Sequence, residues 1–187
     1  DLEELCAQSS PHIFVDFTSC QGARQHFYKC VSRRINPVIG STGFSDEDMA
    51  NFDQVCRESQ LGAAVISNFS FGALVIKRAA QQIAGALPSV VLVEIYSPSK
   101  PNEPSGTSMQ LAQVLQKSLA LQRNIPIHTI RMMGAVPHQE IRFGNVGETV
   151  TIIHEVTDRI CFGPGVELAV KNIARYRCLV TELENFI

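Results

Sequence analysis

Residues 94–107 read Glu-Ile-Tyr-Ser-Pro-Ser-Lys-Pro-Asn-Glu-Pro-Ser-Gly-Thr, and they join two different patterns. The apolar run at residues 90–93 precedes them, and a pattern with helical spacing follows over residues 108–123. The apolar run predicts a buried strand, and the three prolines predict an extended loop after it. The stretch therefore contains the end of a strand, a loop and the start of a helix.

The start of the predicted helix has the groups of an anion site. Ser105, Gly106 and Thr107 open the helix, where free N–H groups and the positive end of the helix dipole are available. Lys100 lies in the loop before them, so these groups together would hold a carboxylate or a phosphate. Alternatively, Ser105 and Thr107 are ordinary helix caps and Lys100 is a solvated lysine. The residues alone leave both interpretations open.

The same stretch resembles the signature loop of the dihydrodipicolinate reductase family of lysine biosynthesis. The family pattern is Glu-x-His-His-x-x-Lys-x-Asp-x-Pro-Ser-Gly-Thr. The matching residues are Glu94, Lys100, Pro104, Ser105, Gly106 and Thr107. Tyr96 and Ser97 stand at the positions of the two histidines, and Asn102 replaces the aspartate.

The resemblance implies a role for each of these positions. Lys100 would be catalytic, and so would Tyr96, because it stands where the family has its general acid. The residues implied to contact the substrate are Ser97, Ser105, Gly106 and Thr107. A tyrosine with its ordinary pKa of about 10 is poorly matched to proton donation at neutral pH, unless Lys100 lowers that pKa.

The composition indicates a globular protein and excludes several classes. Of the 187 residues, 45% are hydrophobic and 18% charged, and the net charge of −2 gives no electrostatic case for nucleic acid or an anionic membrane. No apolar run reaches transmembrane length. Six cysteines occur without a C-x-x-C pair, which favours a reduced cytoplasmic protein over a disulfide scaffold or a zinc site. We therefore expect no metal site.

Strands alternate with helices in the first half of the chain and follow one another in the second. The predicted helices include residues 2–8, 21–34 and 71–86. The predicted strands are residues 13–18, 37–39 and 63–66, and later residues 125–131, 139–143 and 149–154. Alternation indicates βαβ units and a parallel sheet, whereas consecutive strands indicate an open sheet.

We therefore expect an α/β protein with a partial doubly wound, Rossmann-like parallel sheet, followed by an α+β domain with an open mixed sheet. Residues 1–88 would be the second half of a dinucleotide-binding domain. Residues 89–165 would bind substrate and form the oligomer. Residues 166–187 would form a helix and a tail that returns to the first domain.

Two polar turns follow predicted strands, which is where parallel sheets bind ligands. They resemble the family's Ile-Gly-Thr-Thr-Gly-Phe and Ala-Asn-Phe-Ser-x-Gly turns. The resemblance implies that the nicotinamide end of NAD(P)H is bound by Gly40, Ser41, Thr42, Ser67, Asn68, Phe69 and Ser70. Ordinary turn chemistry is the alternative for each turn taken separately.

The chain departs from the family in the other part of the dinucleotide site. No G-x-G-x-x-G turn follows an early strand, so this element would lie before Asp1 or be lacking. We therefore expect these 187 residues to bind NAD(P)H very weakly or not at all.

Three functions remain open. The first is a family member that has lost the catalytic histidines and is a non-catalytic or repurposed binding or interaction protein, for which a small carboxylate is one candidate ligand. The second is the family's NAD(P)H-dependent reduction of a cyclic imine, with Lys100 as proton donor and Gly106 and Thr107 holding a carboxylate. The third is a different oxidoreductase, with Tyr96 and Lys100 as an acid pair. The resemblance also implies a homotetramer formed through the second domain.

Overall fold

The computed structural model describes residues 9–100, 103–119 and 124–187. The predicted helix at residues 2–8, the end of the helix predicted to reach Arg123, and Asn102 lie outside the described residues. The chain divides into two compact units. Within the described residues, the first unit runs to Phe69 and resumes from Phe162 to Ile187, and the second unit is Ser70–Cys161.

The strands and helices alternate at first and then give way to consecutive strands. In chain order the strands are β1 (Ile13–Asp16), β2 (Asn36–Ile39), β3 (Ala63–Val65), β4 (Ser89–Tyr96), β5 (Ile127–Arg131), β6 (His138–Asn145), β7 (Glu148–Glu155) and β8 (Leu179–Val180). The α-helices are α1 (Cys20–Ser32), α2 (Asp46–Ser59), α3 (Phe71–Ala84), α4 (Gly106–Ser118) and α5 (Gly163–Asn172). No helix in this described part of the chain is long and apolar enough to cross a bilayer.

The first unit is built on a parallel sheet with the strand order β1-β2-β3-β8. Its core lies between α1, α2 and the sheet, where the Phe27 and Phe52 rings stack with centroids 4.0 Å apart. Both helices begin at serine caps, and Ser45 forms a capping box with Asp48 at the start of α2. The predicted parallel sheet is confirmed, and β8 adds a fourth strand to it.

The second unit contains a mixed sheet with the strand order β5-β4-β6-β7. Strand β4 is parallel to β5 and antiparallel to β6, and β6 is antiparallel to β7. Ile76 of α3 and Leu115 of α4 pack against Leu92 and Ile141 on one face. The α/β fold class with its mixed second sheet is thus confirmed.

Two boundaries differ from those expected from sequence. Helix α3 belongs to the second unit, because its apolar side shares a core with β4 and β6. From sequence, residues 71–88 were expected in the first domain. Strand β4 continues through Glu94 to Tyr96, so these two residues are in the sheet and not in the loop. The seven paired positions along β6 and β4 extend the strand past its apolar part.

Candidate functional site

The site begins with the alternation of side chains along β4. Leu92 points into the core, so Glu94 and Tyr96 lie on the same face of the sheet at the end of the strand. Register places Thr129 of β5 beside Glu94, and Arg131 beside Tyr96. Four polar or charged side chains therefore meet at the edge of an otherwise apolar core.

Glu94 is fully buried and is held as a carboxylate by several donors. The Ser105 N–H lies 3.0 and 3.1 Å from its two oxygens, and the Ser105 hydroxyl donates to Oε2 at 2.5 Å. The Thr129 hydroxyl donates to Oε1 at 3.1 Å, and the Arg131 guanidinium lies 3.5 Å from the same oxygen. Burial alone would raise the pKa of Glu94, but hydrogen bonds from Ser105, Ser108 and Thr129 lower it below its ordinary value.

This carboxylate occupies part of the anion site that the sequence indicated. Ser105 is the N-cap of α4, because its side chain accepts from the Ser108 N–H, while its own N–H and hydroxyl donate to Glu94. The N–H groups of Gly106 and Thr107 have no hydrogen-bond partner among the described residues. Only these two donors of the helix start are available to a ligand.

Tyr96 is half-buried, and two cations lie near its ring. The Lys100 Nζ lies 4.6 Å from the centre of the Tyr96 ring, and the Arg131 guanidinium carbon lies 5.6 Å from it. Burial raises the pKa of Tyr96, and the negative Glu94 adds to the effect, so together they outweigh the hydrogen bond from Ser105 and the charge of Arg131. The lysine therefore contacts the ring and does not lower the pKa of the phenol.

A cavity of about 550 Å³ opens beside Tyr96. Its lining residues are Tyr96, Ser97, Ser99, Lys100, Ala135, Val136, Pro137, Val156, Thr157, Asp158 and Arg159. Lys100 and Arg159 bring two positive charges to it. The structure thus gathers Tyr96, Ser97 and Lys100 in this cavity, whereas Ser105, Gly106 and Thr107 lie outside its lining.

Sequence reasoning missed the residues that the neighbouring loops contribute to the cavity. They become neighbours because Ile95 of β4 pairs with His138 of β6, and His138 pairs with Glu155 of β7. The segments just outside these pairs, Pro137 and Val156, are joined by a hydrogen bond from the Val156 N–H to the Pro137 carbonyl at 2.8 Å. One signal was available in the sequence, because His154, Arg159, Phe162 and Gly165 resemble the family's His-x-x-x-x-Arg-x-x-Phe-x-x-Gly run.

The residues predicted to bind the nicotinamide are divided between the two units. Gly40, Ser41 and Thr42 follow β2, and Ser67, Asn68 and Phe69 follow β3, both in the first unit. The Phe17 ring covers Gly40 so closely that a Cβ there would lie 2.1 Å from it, and it contacts Phe69 with centroids 5.6 Å apart. Ser70 caps α3 in the second unit, with its hydroxyl 3.3 Å from the His154 Nε2.

One of these turns has a polar atom that a bound amide would satisfy. The Ser41 hydroxyl is buried and has no hydrogen-bond partner among the described residues. A buried hydroxyl without a partner costs free energy, so it fits a ligand with polar atoms such as the carboxamide of nicotinamide. Among the residues that the structure describes, no cluster of three His, Cys, Asp or Glu side chains could hold a metal ion.

An α/β chain with a dinucleotide-type parallel sheet, a second mixed sheet and a cationic cavity has the architecture of an oxidoreductase. Family models describe residues 1–69 as the N-terminus and residues 72–187 as the C-terminus of dihydrodipicolinate reductase. The chain belongs to the dihydrodipicolinate reductase family, whose members use NAD(P)H in lysine biosynthesis.

Named relatives and a solved structure cover the whole chain. The chain is 32% identical to 4-hydroxy-tetrahydrodipicolinate reductase of Shouchella clausii, covering 100% of this chain and 78% of that protein. It is 33% identical to the same enzyme of Moorella thermoacetica, and the match covers 100% of this chain and 77% of that protein. A dipicolinate-bound dihydrodipicolinate reductase from a Paenisporosarcina species matches with a TM-score of 0.84 and 29% identity, covering 100% of this chain and 78% of that one.

Proposed function

We propose that this chain is a carboxylate-binding member of the dihydrodipicolinate reductase family that does not catalyse the family's imine reduction. The observation that carries the proposal is the environment of Tyr96, which stands where the family has its general acid. Burial and Glu94 raise its pKa, so the phenol keeps its proton at neutral pH. Loss of a general acid costs about 10²–10⁴-fold in rate.

The cavity beside Tyr96 supports a small carboxylate as the ligand. Lys100 and Arg159 supply positive charge, and Ser97 and Thr157 supply hydroxyl groups. The related Paenisporosarcina structure has dipicolinate bound, which is a planar dicarboxylate. We infer that the cationic side chains hold a carboxylate of a ligand of this type, while Val136 and Val156 exclude water from its apolar part.

The family reaction is the second candidate, and the identity of about one third to 4-hydroxy-tetrahydrodipicolinate reductases over the whole chain favours it. NAD(P)H, when bound, supplies the hydride in that chemistry. Lys100 would then deliver the proton in place of a histidine, and the free N–H groups of Gly106 and Thr107 would hold a carboxylate. The Ser41 turn would contact the nicotinamide. The acid pair of Tyr96 and Lys100 has less support, since the lysine lies over the ring face.

Calorimetric titration of the 187-residue chain with pyridine-2,6-dicarboxylate, NADH and NADPH tests the proposal. We expect the dicarboxylate to bind, both dinucleotides to bind weakly or not at all, and no NADPH oxidation to occur with the imine substrate. The dinucleotide expectation concerns these residues alone, because no G-x-G-x-x-G turn occurs in them. Measurable oxidation would establish the second candidate.

A pair of lysine variants shows whether the dicarboxylate occupies the cavity. Lys100→Gln removes a charge from the lining, and we expect about 10–100-fold weaker binding, as for a lost hydrogen bond to a charged group. Lys117→Gln makes the same change at the exposed end of α4 and should leave the affinity unchanged. Equal losses in both variants would assign the binding to general electrostatic attraction.

We also propose that the second unit self-associates, as in the homotetramer that the family resemblance implies. The sheet face opposite Leu92 contains Val93, Ile130 and Ile153, of which Ile130 and Ile153 are 45% and 54% exposed. Apolar side chains on an open sheet are stabilised when a second copy covers them. Light scattering at micromolar concentration should give about four times the chain mass, and a monomer would reject the assembly.

A further inference from the structure

The cavity beside Tyr96 is lined by charges of both signs. Lys100 and Arg159 are positive, and the Asp158 carboxylate belongs to the same lining. Among the described residues, no ion pair joins Asp158 to either cation. The three charges therefore do not neutralise one another within the chain. The two cations account for a carboxylate on the ligand, whereas Asp158 needs a different partner.

The position of the Asp158 side chain is fixed by the backbone that follows it. Its Oδ1 accepts from the Ile160 N–H at 2.8 Å, and its carbonyl accepts from the Cys161 N–H at 3.3 Å. The carboxylate thus caps the short 3₁₀ helix at Arg159–Phe162. Oδ2 has no hydrogen-bond donor among the described residues. An ionised carboxylate only accepts, so this oxygen is available to an N–H group of a ligand.

We propose that Asp158 is a specificity-determining residue that binds an ammonium group of the ligand, so that the cavity selects an amino dicarboxylate over a dicarboxylate without a positive charge. The inference rests on the proposed carboxylate site and narrows the ligand class of that site. The ligand's carboxylates would face Lys100 and Arg159, and its ammonium group would face Asp158.

Charge repulsion contributes to this selection as much as attraction does. A dicarboxylate without an ammonium group brings only negative charge to a cavity that already contains the Asp158 carboxylate. An ammonium group on the ligand replaces that repulsion with an ion pair. Specificity of this kind needs a group that disfavours the wrong ligand as well as groups that bind the right one.

Two ligands of the same ring shape test the inference. In cis-piperidine-2,6-dicarboxylate the ring nitrogen is protonated at neutral pH, as aliphatic amines are, and in cis-cyclohexane-1,3-dicarboxylate a carbon replaces it. By calorimetry at pH 7, we expect the unaltered chain to bind the piperidine about fivefold more tightly, between the effects of an exposed ion pair and of a hydrogen bond to a charged group.

Asp158→Asn removes the charge but keeps an oxygen that can accept from the Ile160 N–H. The affinity ratio of the two ligands should therefore fall to about one in this variant. Should the variant fail to fold, Asp158→Ser also provides an oxygen for the cap and gives the same comparison. A thermal melt of each variant checks the fold.

Glu148→Gln is the matched control, because Glu148 is exposed and lies at the opposite end of β7 from the cavity residue Val156. It should leave the affinity ratio unchanged. Equal affinities in the unaltered chain, tighter binding of the cyclohexane, or a ratio that survives the loss of the Asp158 charge would overturn the inference and leave the carboxylate site standing. Binding of pyridine-2,6-dicarboxylate without either of these ligands would do the same. Binding of none of the three would overturn both proposals.

Discussion

Glu94→Ala is expected to destabilise the chain by about 3–5 kcal/mol, the cost of breaking a buried charge network from one side. The change removes the acceptor for the Ser105 N–H and for the Ser105 and Thr129 hydroxyls, and it leaves the Arg131 charge without its buried partner. The start of α4 would lose its contact with β4. Urea unfolding followed by circular dichroism gives the change in midpoint and free energy.

Glu103→Ala is the matched control for this prediction. Glu103 lies 3.9 Å from the same Arg131, but its side chain is 57% exposed. Exposed ion pairs contribute little, so the control should change stability by less than about 1 kcal/mol. A similar loss of stability in both variants would show that the contribution of Glu94 to stability does not come from its burial.

The contribution of Glu94 to the free energy of unfolding should also depend on pH, and it should decrease on acidification. Its pKa in the folded chain lies below the ordinary value, so its contribution is complete above the unfolded pKa of about 4.3. The contribution is lost as the pH falls through the lower folded value. The stability difference between Glu94→Ala and the unaltered chain should therefore narrow on acidification below about pH 4.

Gly165→Ala is expected to cost about 3 kcal/mol or more, the upper end of what overpacking costs. Gly165 is buried in α5, and a Cβ there would lie 2.0 Å from the Phe69 carbonyl oxygen and 2.9 Å from its carbon. Backbone atoms cannot rotate away as a flexible side chain can. Either α5 or the turn after β3 must move, which urea unfolding of the variant would detect.

Gly85→Ala is the control for the steric crowding expected in Gly165→Ala. Gly85 has helical dihedral angles, φ −69° and ψ −24°, and a Cβ there would meet nothing within 4 Å. Alanine restricts the unfolded chain more than glycine, so this variant should gain about 0.4–1 kcal/mol. Opposite signs for the two substitutions would confirm the crowding. A loss at both positions would contradict it.

Local patterns were sufficient to predict the two sheets. Alternation of apolar strands and helices predicted β1 to β3, and the consecutive strands predicted β5 to β7, because both patterns are readable within short windows. Helix α3 shows what such windows omit. Its apolar stripe predicts a buried face, but it does not say which of two sheets the face covers.

The site was predicted less completely for a related reason. Tyr96, Ser97 and Lys100 lie close together in the chain, so one motif indicated all three. Glu94 was read as a matching position without a role, since its partners Thr129 and Arg131 depend on the register of β5 against β4. Strand register over a separation of some thirty-five residues is a tertiary property, and no local pattern specifies it.

The pairing of β8 with β3 has a consequence for the order of folding during synthesis. Leu179 and Val180 form the strand beside β3 in the first unit, and Gly62 lies so close to the Ile173 carbonyl that a Cβ there would be 2.2 Å away. The ribosome therefore releases all of the second unit before the first has its edge strand. The second unit can therefore form its native contacts before the first unit does. Until β8 has been synthesised, the edge of β3 that will pair with it stays exposed.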